Sequence, residues 1–444
     1  MEFQAIYLPI GVGTFHLPSA EALFQKSAAL LKTFEPDVVC PQEMLLSVDK
    51  LDAFLEGRCA DFAIVQNVTF ANAAYISEIL RRLDCPILLW TLREPVVDGT
   101  RLRLNSLTGA FSAANTLKSF GRPFEYVFGS PDEARVQSAV SAVFAAARMK
   151  KAMRELRLLQ VGHTPQGFGF GRALDGEMLR TFGVRLESVE ARELIEDAKA
   201  CSDERIEAAL DDARGRIRGL DGLPEQNVRD FARLYAAYAD YVRAHRIGAL
   251  ASRCWPDFFT AFGTPVCAAL SLLNDLGVAS ACEADAYGAL SMYVASFLTG
   301  KSAFFGDPVS LDENENTVTF WHCGMAPCSL ARTDTGACAG LHCNRGIGPV
   351  LEFGCERAEK VTVFRIGRRP DGGFRFFLAR GEALDKPKQF SGVSVVVRTD
   401  SDARALVETA VRDGWEPHFA VAFGDIADAV TALGHMLGVP VEAY

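Results

Sequence analysis

A rhythm in the sequence limits what this chain can fold into. Short apolar runs alternate with longer amphipathic stretches: FQAIYLPI, then AEALFQKSAALLKTF, then DFAIVQ, then AAYISEILRRLD, then PILLWTL. Buried runs separated by helix-length segments build a parallel sheet, because parallel strands need a crossover and a helix packed on the sheet supplies it. The rhythm restarts after the Ala-rich segment VQSAVSAVFAAARMKKAMREL, with LRLLQVG, DGEMLRTFG and VRLESVEA, and later with VRDFARLYAAYADYVRAHR feeding IGALASRC. Beyond Gly300 it gives way to strands and turns, NTVTFWHC, KVTVFRIG, GGFRFFLAR and GVSVVVRT, before a last helix near DIADAVTALGHML. The expected class is α/β: two doubly wound, Rossmann-like α/β domains at 1–150 and 151–300, then a β-rich C-terminal domain at 301–444. A length of 444 residues fits more than one core.

Composition excludes several classes. Apolar residues make up 49% and charged residues 23%, the balance of a globular chain rather than a disordered one. The net charge of −10, with Lys and Arg scattered, would repel a phosphate backbone, so no nucleic-acid partner is expected. The first twenty residues, MEFQAIYLPIGVGTFHLPSA, lack the basic start and unbroken apolar core of a signal peptide. No apolar run approaches the roughly eighteen residues of a membrane span, so a cytoplasmic protein without a membrane partner is expected. The twelve cysteines read as buried thiols rather than a disulfide framework. Cys323, Cys328, Cys338 and Cys343, with His342, lie in HCGMAPCSLARTDTGACAGLHC. A structural zinc is a second reading there, against which stands the wide C-x4-C spacing.

The chemistry-bearing residues follow the strands. Glycine-rich PIGVGTFH and VGHTPQGFGFG each follow a first strand, match neither G-x-G-x-x-G nor a P-loop, and mark only the crevice at strand carboxyl ends. VASAC reads as a buried strand and ADAYGALSMYVASFLTG as the helix after it, stopping at Thr299 and Gly300. Asp285 is then a first-turn cap. Glu283 sits where the chain leaves the sheet, and an acid there needs a cation, a proton or water. KSAFFGDPVSL, DENENT and VTFWHCG read as a hairpin. Pairing Leu311 with Val318 sets Asp307 opposite His322, close enough to share a metal or to bond each other directly. His418 opens the strand FAVAFG. His16, His163, His245 and His435 read as solvated or structural. Arg253 and Trp255, in SRCWPD at another strand end, face the same crevice, with Arg253 either a clamp for an anionic or hydroxyl-rich ligand end or a structural ion pair.

CWPDF (254–258), CEADAYGAL (282–290), FFGDP (304–308), WHCGMAP (321–327) and GWEPHF (414–419) occur in that order, with a GSP turn near 130 and the HTPQGFGFG loop. As a set they resemble the L-fucose isomerase and L-arabinose isomerase superfamily over essentially the whole chain. The resemblance implies two α/β domains followed by a β-rich domain, and homo-oligomers, commonly hexamers, in which neighbouring subunits complete each pocket. It implies interconversion of aldoses and ketoses with a divalent ion, usually manganese, with Mg²⁺ or another divalent ion as alternatives. Carried over by position, the catalytic glutamate falls on Glu283 and the second catalytic acid on Asp307, which is Asp in the fucose branch and Glu in the arabinose branch. The C-terminal histidine ligand falls on His418 and the extra ligand of the arabinose branch on His322. The implied metal set is thus Glu283, Asp307, His418 and His322, with Arg253 and Trp255 toward the substrate. Pro417 stands where the fucose branch has an Asn that touches sugar. Some relatives act on sugars with a sulfonate in place of the terminal hydroxyl, so a charged substrate such as sulfoquinovose is open beside fucose- or arabinose-like sugars.

The residues suit this chemistry. Moving a carbonyl from C1 to C2 takes a proton from one carbon, returns it to its neighbour and passes through an enediolate. Two carboxylates with an oxygen-rich site for a hard ion suffice. Two rivals use the same residues: a non-catalytic sugar-binding protein, and an epimerase or carbon–carbon lyase on the same metal site.

Overall fold

In the computed structural model, which describes residues 3–444, the first rhythm becomes four parallel strands. They are β1 (Ala5–Ile10), β2 (Phe62–Asn67), β3 (Ile87–Thr91) and β4 (Phe124–Phe128), side by side in chain order. β1 to β3 are buried along their whole length, which is why they read as unbroken apolar runs. On one face Leu8, Val65 and Leu89 pack with Ile76, Ile79 and Ala110 of the covering helices. On the other, Tyr7 stacks on Phe24 at 5.9 Å and Phe62 meets Phe144 edge-on at 5.1 Å. Both faces are therefore covered, as expected, but the strand order never reverses, so this sheet has no switch point and is not doubly wound in the Rossmann sense.

The second rhythm does reverse. β5 (Arg157–Val161) and β6 (Arg185–Val189) are followed by β7 (Ile217–Arg218), which joins another sheet, and then by β8 (Ala249–Ser252) and β9 (Ala279–Ala281). The parallel order is β6-β5-β8-β9. The chain leaves β5 toward β6 and returns across it to β8, and the carboxyl ends of β5 and β8 frame the crevice where open sheets bind ligands.

The last third forms β10 (Phe304–Asp312), β11 (Thr317–His322), β12 (Ala337–Gly340), β13 (Val350–Gly354), β14 (Ala358–Arg368), β15 (Phe374–Ala383), β16 (Val393–Thr399), β17 (Phe419–Ala422) and β18 (Val441–Ala443). Their order is β18-β15-β14-β17-β10-β11-β16-β13-β12-β7, and β15 also pairs with β16. That extra pairing closes β15, β14, β17, β10, β11 and β16 into a barrel. The hairpin pairs Leu311 with Val318 as expected, but a bulge between Pro308 and Ser310 sets Asp307 opposite Trp321 instead of His322. Pro308 cannot donate to the ladder, and an extra residue beside it shifts everything beyond by one.

The helix Ala286–Thr299 packs on β8 and β9 and also on β14 and β17. The second sheet and the barrel share it, and Met153–Ala427 with Pro440–Tyr444 forms one compact unit. Asp428–Val439 belongs with Met1–Ala152 in the other unit instead of with the β-rich part. No helix among the described residues is long and apolar enough to cross a membrane.

Candidate active site

The site is built on a strained bend. After β9, Glu283 has φ 60 and Ala284 φ 54, two successive side chains in the left-handed region, at about 1–3 kcal/mol each. The Ala284 amide donates to the Ser252 carbonyl at 2.9 Å and the Asp285 amide to that of Cys282 at 3.2 Å, which holds the bend. The Asp285 carboxylate then accepts from the Gly288 amide at 2.8 Å and starts the helix, as its reading as a cap expects.

That carboxylate has two further partners. His418, immediately before β17, places Nδ1 at 2.9 Å from Asp285 Oδ2, and Arg365 of β14 pairs with both Asp285 oxygens, at 3.2 Å for Oδ1. Arg365 and Asp285 are both fully buried. The far nitrogen of His418, Nε2, lies 2.9 Å from Glu283 Oε2 and 3.5 Å from Asp307 Oδ1. Phe305, Phe170 and Phe168 box the ring at 4.8, 5.3 and 6.2 Å. The HTPQGFGFG loop thus contributes a wall as well as a turn. Gly171 allows this approach, because a Cβ there would stand 2.8 Å from the Asp285 Cα. The structure therefore brings together Glu283, Asp307 and His418.

Electrostatics separates the acids. Burial alone would raise the Asp285 carboxyl, but the Arg365 charge and the His418 bond hold it well below the usual carboxylate range. Burial would likewise lower His418, yet its bonds to Asp285 and Glu283 outweigh that and lift it to about 9. Glu283 is lowered, its burial penalty overcome by the His418 bond and charge. Asp307 is raised, because burial exceeds the pull of the two imidazoles.

His322 is placed differently. It is buried at the end of β11, and its Nδ1 accepts the Met325 amide at 3.3 Å. A neutral ring then carries its proton on Nε2. An imidazole that binds a metal through Nε2 normally donates Nδ1–H to a carboxylate or carbonyl, as His418 is placed to do toward Asp285. His322 makes no bond to Asp307, though both line one cavity of about 260 Å³. Trp255 lines it too and donates from Nε1 to Glu283 Oε1 at 3.3 Å. Arg253 is turned away into an ion pair with Asp257 at 2.5 Å, and its Nε donates to the Trp255 carbonyl at 3.2 Å.

Among the described residues no three His, Cys, Asp or Glu stand ready-spaced around an ion. The zinc reading thereby loses its cage: Cys323 faces Cys267, Cys328 lies by Asp275, and Cys338 Sγ is 3.7 Å from the Thr335 carbonyl. At the candidate site the acids and His418 bond one another directly. Their chemistry suits a hard divalent ion: two carboxylates and an imidazole whose other nitrogen is fixed by a buried carboxylate.

Sequence reasoning missed Arg365, although a lone Arg inside the apolar strand KVTVFRIG signals a buried charge with a partner. It also took Asp285 for a cap alone. The bond to His418 spans 133 positions of chain, and no local pattern shows it.

No protein-family model matches the chain. Curated relatives do. The sulfoquinovose isomerase of Clostridium sp. (strain MSTE9) is 58% identical over 444 residues, covering 100% of this chain and 99% of the relative. That of Priestia megaterium is 37% identical over 443 residues, covering 99% and 98%, and that of Alkalicoccus urumqiensis 36% identical over 439 residues, covering 98% and 98%. These names agree with the sugar-isomerase activity that the resemblance implies, and none of the three mentions fucose or arabinose.

Proposed function

The chain belongs to the sulfoquinovose isomerase family, and from that premise we propose that it isomerises a sulfonated aldose to its ketose, with Glu283 and Asp307 carrying the proton between C2 and C1. One observation supports this most: both acids line one cavity, and the outer nitrogen of His418 lies within 2.9 Å of Glu283 and 3.5 Å of Asp307. Enediol transfer needs one carboxylate to take a proton and one acid to return it, and the environments of Glu283 and Asp307 push their affinities for a proton apart. Trp255, through its bond to Glu283 Oε1, fixes the orientation of that carboxylate. The phenylalanines around His418 keep water from the ring and lower the local dielectric, which strengthens every charge interaction in the pocket.

Glu283, Asp307 and His418 would hold the divalent ion, Mn²⁺ or Mg²⁺, which supplies Lewis-acid stabilisation to the developing enediolate. Asp285 and Arg365 are positioning residues: they set the ring so that Nε2 faces the two acids. A proton on Nε2 occupies the lone pair an ion needs, so binding releases it.

Incubating the protein with sulfoquinovose and Mn²⁺ in D₂O tests this reading. The expected result is the sulfonated ketose, with solvent deuterium entering at the reacting carbons. A C2 epimer or a shorter fragment would make the chain an epimerase or lyase, and binding without turnover would make it a sugar-binding protein.

A further inference from the structure

We propose that Arg345 is the residue that reads the sulfonate, receiving the anionic end of the sugar in the cavity that holds Glu283 and Asp307. This rests on the isomerase reading above. It begins from a charge problem. The divalent ion proposed above would offset the two carboxylates of the cavity, but a sulfonate at the other end of the sugar gives up water on entering and needs a cation of its own.

Two arginines close to the site residues are already neutralised. Arg365 is sealed against Asp285, and Arg253 is ion-paired with Asp257 and does not line the cavity. Arg345 does line it, it is exposed, and no carboxylate among the described residues pairs with it. Its guanidinium lies over the Phe259 ring, 5.5 Å from the centroid. An aromatic face holds a guanidinium in place without cancelling its charge or using its N–H groups.

The loop between β12 and β13 makes that position reproducible. The His342 amide donates to the Ile347 carbonyl at 2.9 Å, and the Gly346 amide to that of His342 at 2.8 Å. The Asn344 amide donates to His342 Nδ1 at 3.2 Å. The His342 ring is buried and stands edge-on to the same Phe259 at 5.2 Å. One phenylalanine therefore anchors both the loop and the cation it carries. Gly346, at φ +64, gives the tight return. Asn344 lines the cavity beside Arg345 and offers a neutral amide to the same oxygens. The planar fork of a guanidinium places two N–H groups on two oxygens of a tetrahedral oxyanion, which an ammonium cannot do.

Calorimetric titration of the wild type and of Arg345→Gln tests the assignment, with two probes: the hexitol that carries the sulfonate of sulfoquinovose, and plain glucitol. The wild type is expected to prefer the sulfonated probe by roughly 10- to 100-fold, the scale of one hydrogen-bonded charge. Arg345→Gln should lose that preference with unchanged glucitol binding, and Arg345→Lys should recover part of it. A preference that persists in Arg345→Gln, or equal loss for both probes, overturns the assignment. Turnover of sulfoquinovose by the wild type is scored separately. If no ketose forms while Arg345→Gln still abolishes the preference, the isomerase reading fails and the anion site stands. Because Arg345 is exposed, its variants should unfold at the wild-type midpoint.

Discussion

His418 Nδ1 stands 2.9 Å from Asp285 Oδ2, and neither side chain reaches solvent. The carboxylate also answers the buried charge of Arg365, so Asp285→Asn keeps a capping side chain yet leaves a guanidinium unpaired in the interior. Such a loss costs about 3–5 kcal/mol, expected as a lower midpoint in urea unfolding. Turnover should fall roughly 10- to 100-fold with it, the usual effect of removing the carboxylate behind a ligand imidazole.

The two acids should separate activity from stability. Glu283→Gln and Asp307→Asn are each expected to reduce kcat about 10²- to 10⁴-fold. Glu283→Gln also gives up a favourable bond to His418 and should lower the unfolding midpoint. Burial penalises the charged form of Asp307 and raises its affinity for a proton, so Asp307→Asn should match or exceed wild-type stability. Equal destabilisation by both would contradict this arrangement.

Gly171→Ala tests the close approach of the phenylalanine loop. Its Cβ would meet the Asp285 Cα at 2.8 Å, backbone that cannot move without disturbing the cap. The expected cost is about 1–3 kcal/mol, with a lower kcat because the walls of His418 shift. Unaltered kinetics would show that the loop does not position the ring.

Ion dependence separates the two histidines. Treatment with a chelator should abolish turnover and added Mn²⁺ restore it. Mn²⁺ at about a hundred times its Kd should stabilise the stripped protein by about 2.7 kcal/mol. His418→Ala is expected to lose that shift. His322→Ala should keep it, since the His322 Nδ1 accepts an amide rather than donating to a carboxylate. Loss of the shift in both variants would restore His322 as a ligand.

The local patterns carried what is local. Unbroken apolar runs marked β1, β2, β3, β5 and β8, because a strand buried on both faces has no polar side to show. The small-residue helix Ala286–Thr299 was legible up to its Gly300 stop, and the positions of Glu283, Asp307 and His418 at strand ends could be read before any coordinates. The sequence could not reveal the bulge at Val309, since a one-residue insertion leaves the apolar pattern on either side intact and changes only the partner across the ladder. Nor could it show that Arg253 turns to Asp257 while Arg345 lies over Phe259. Periodicity along the chain determines which residues are buried and which elements form. Only the tertiary structure, by closing the barrel and seating one helix against both the barrel and the second sheet, decided which buried charges meet, because electrostatic pairing depends on separation in space and not along the chain.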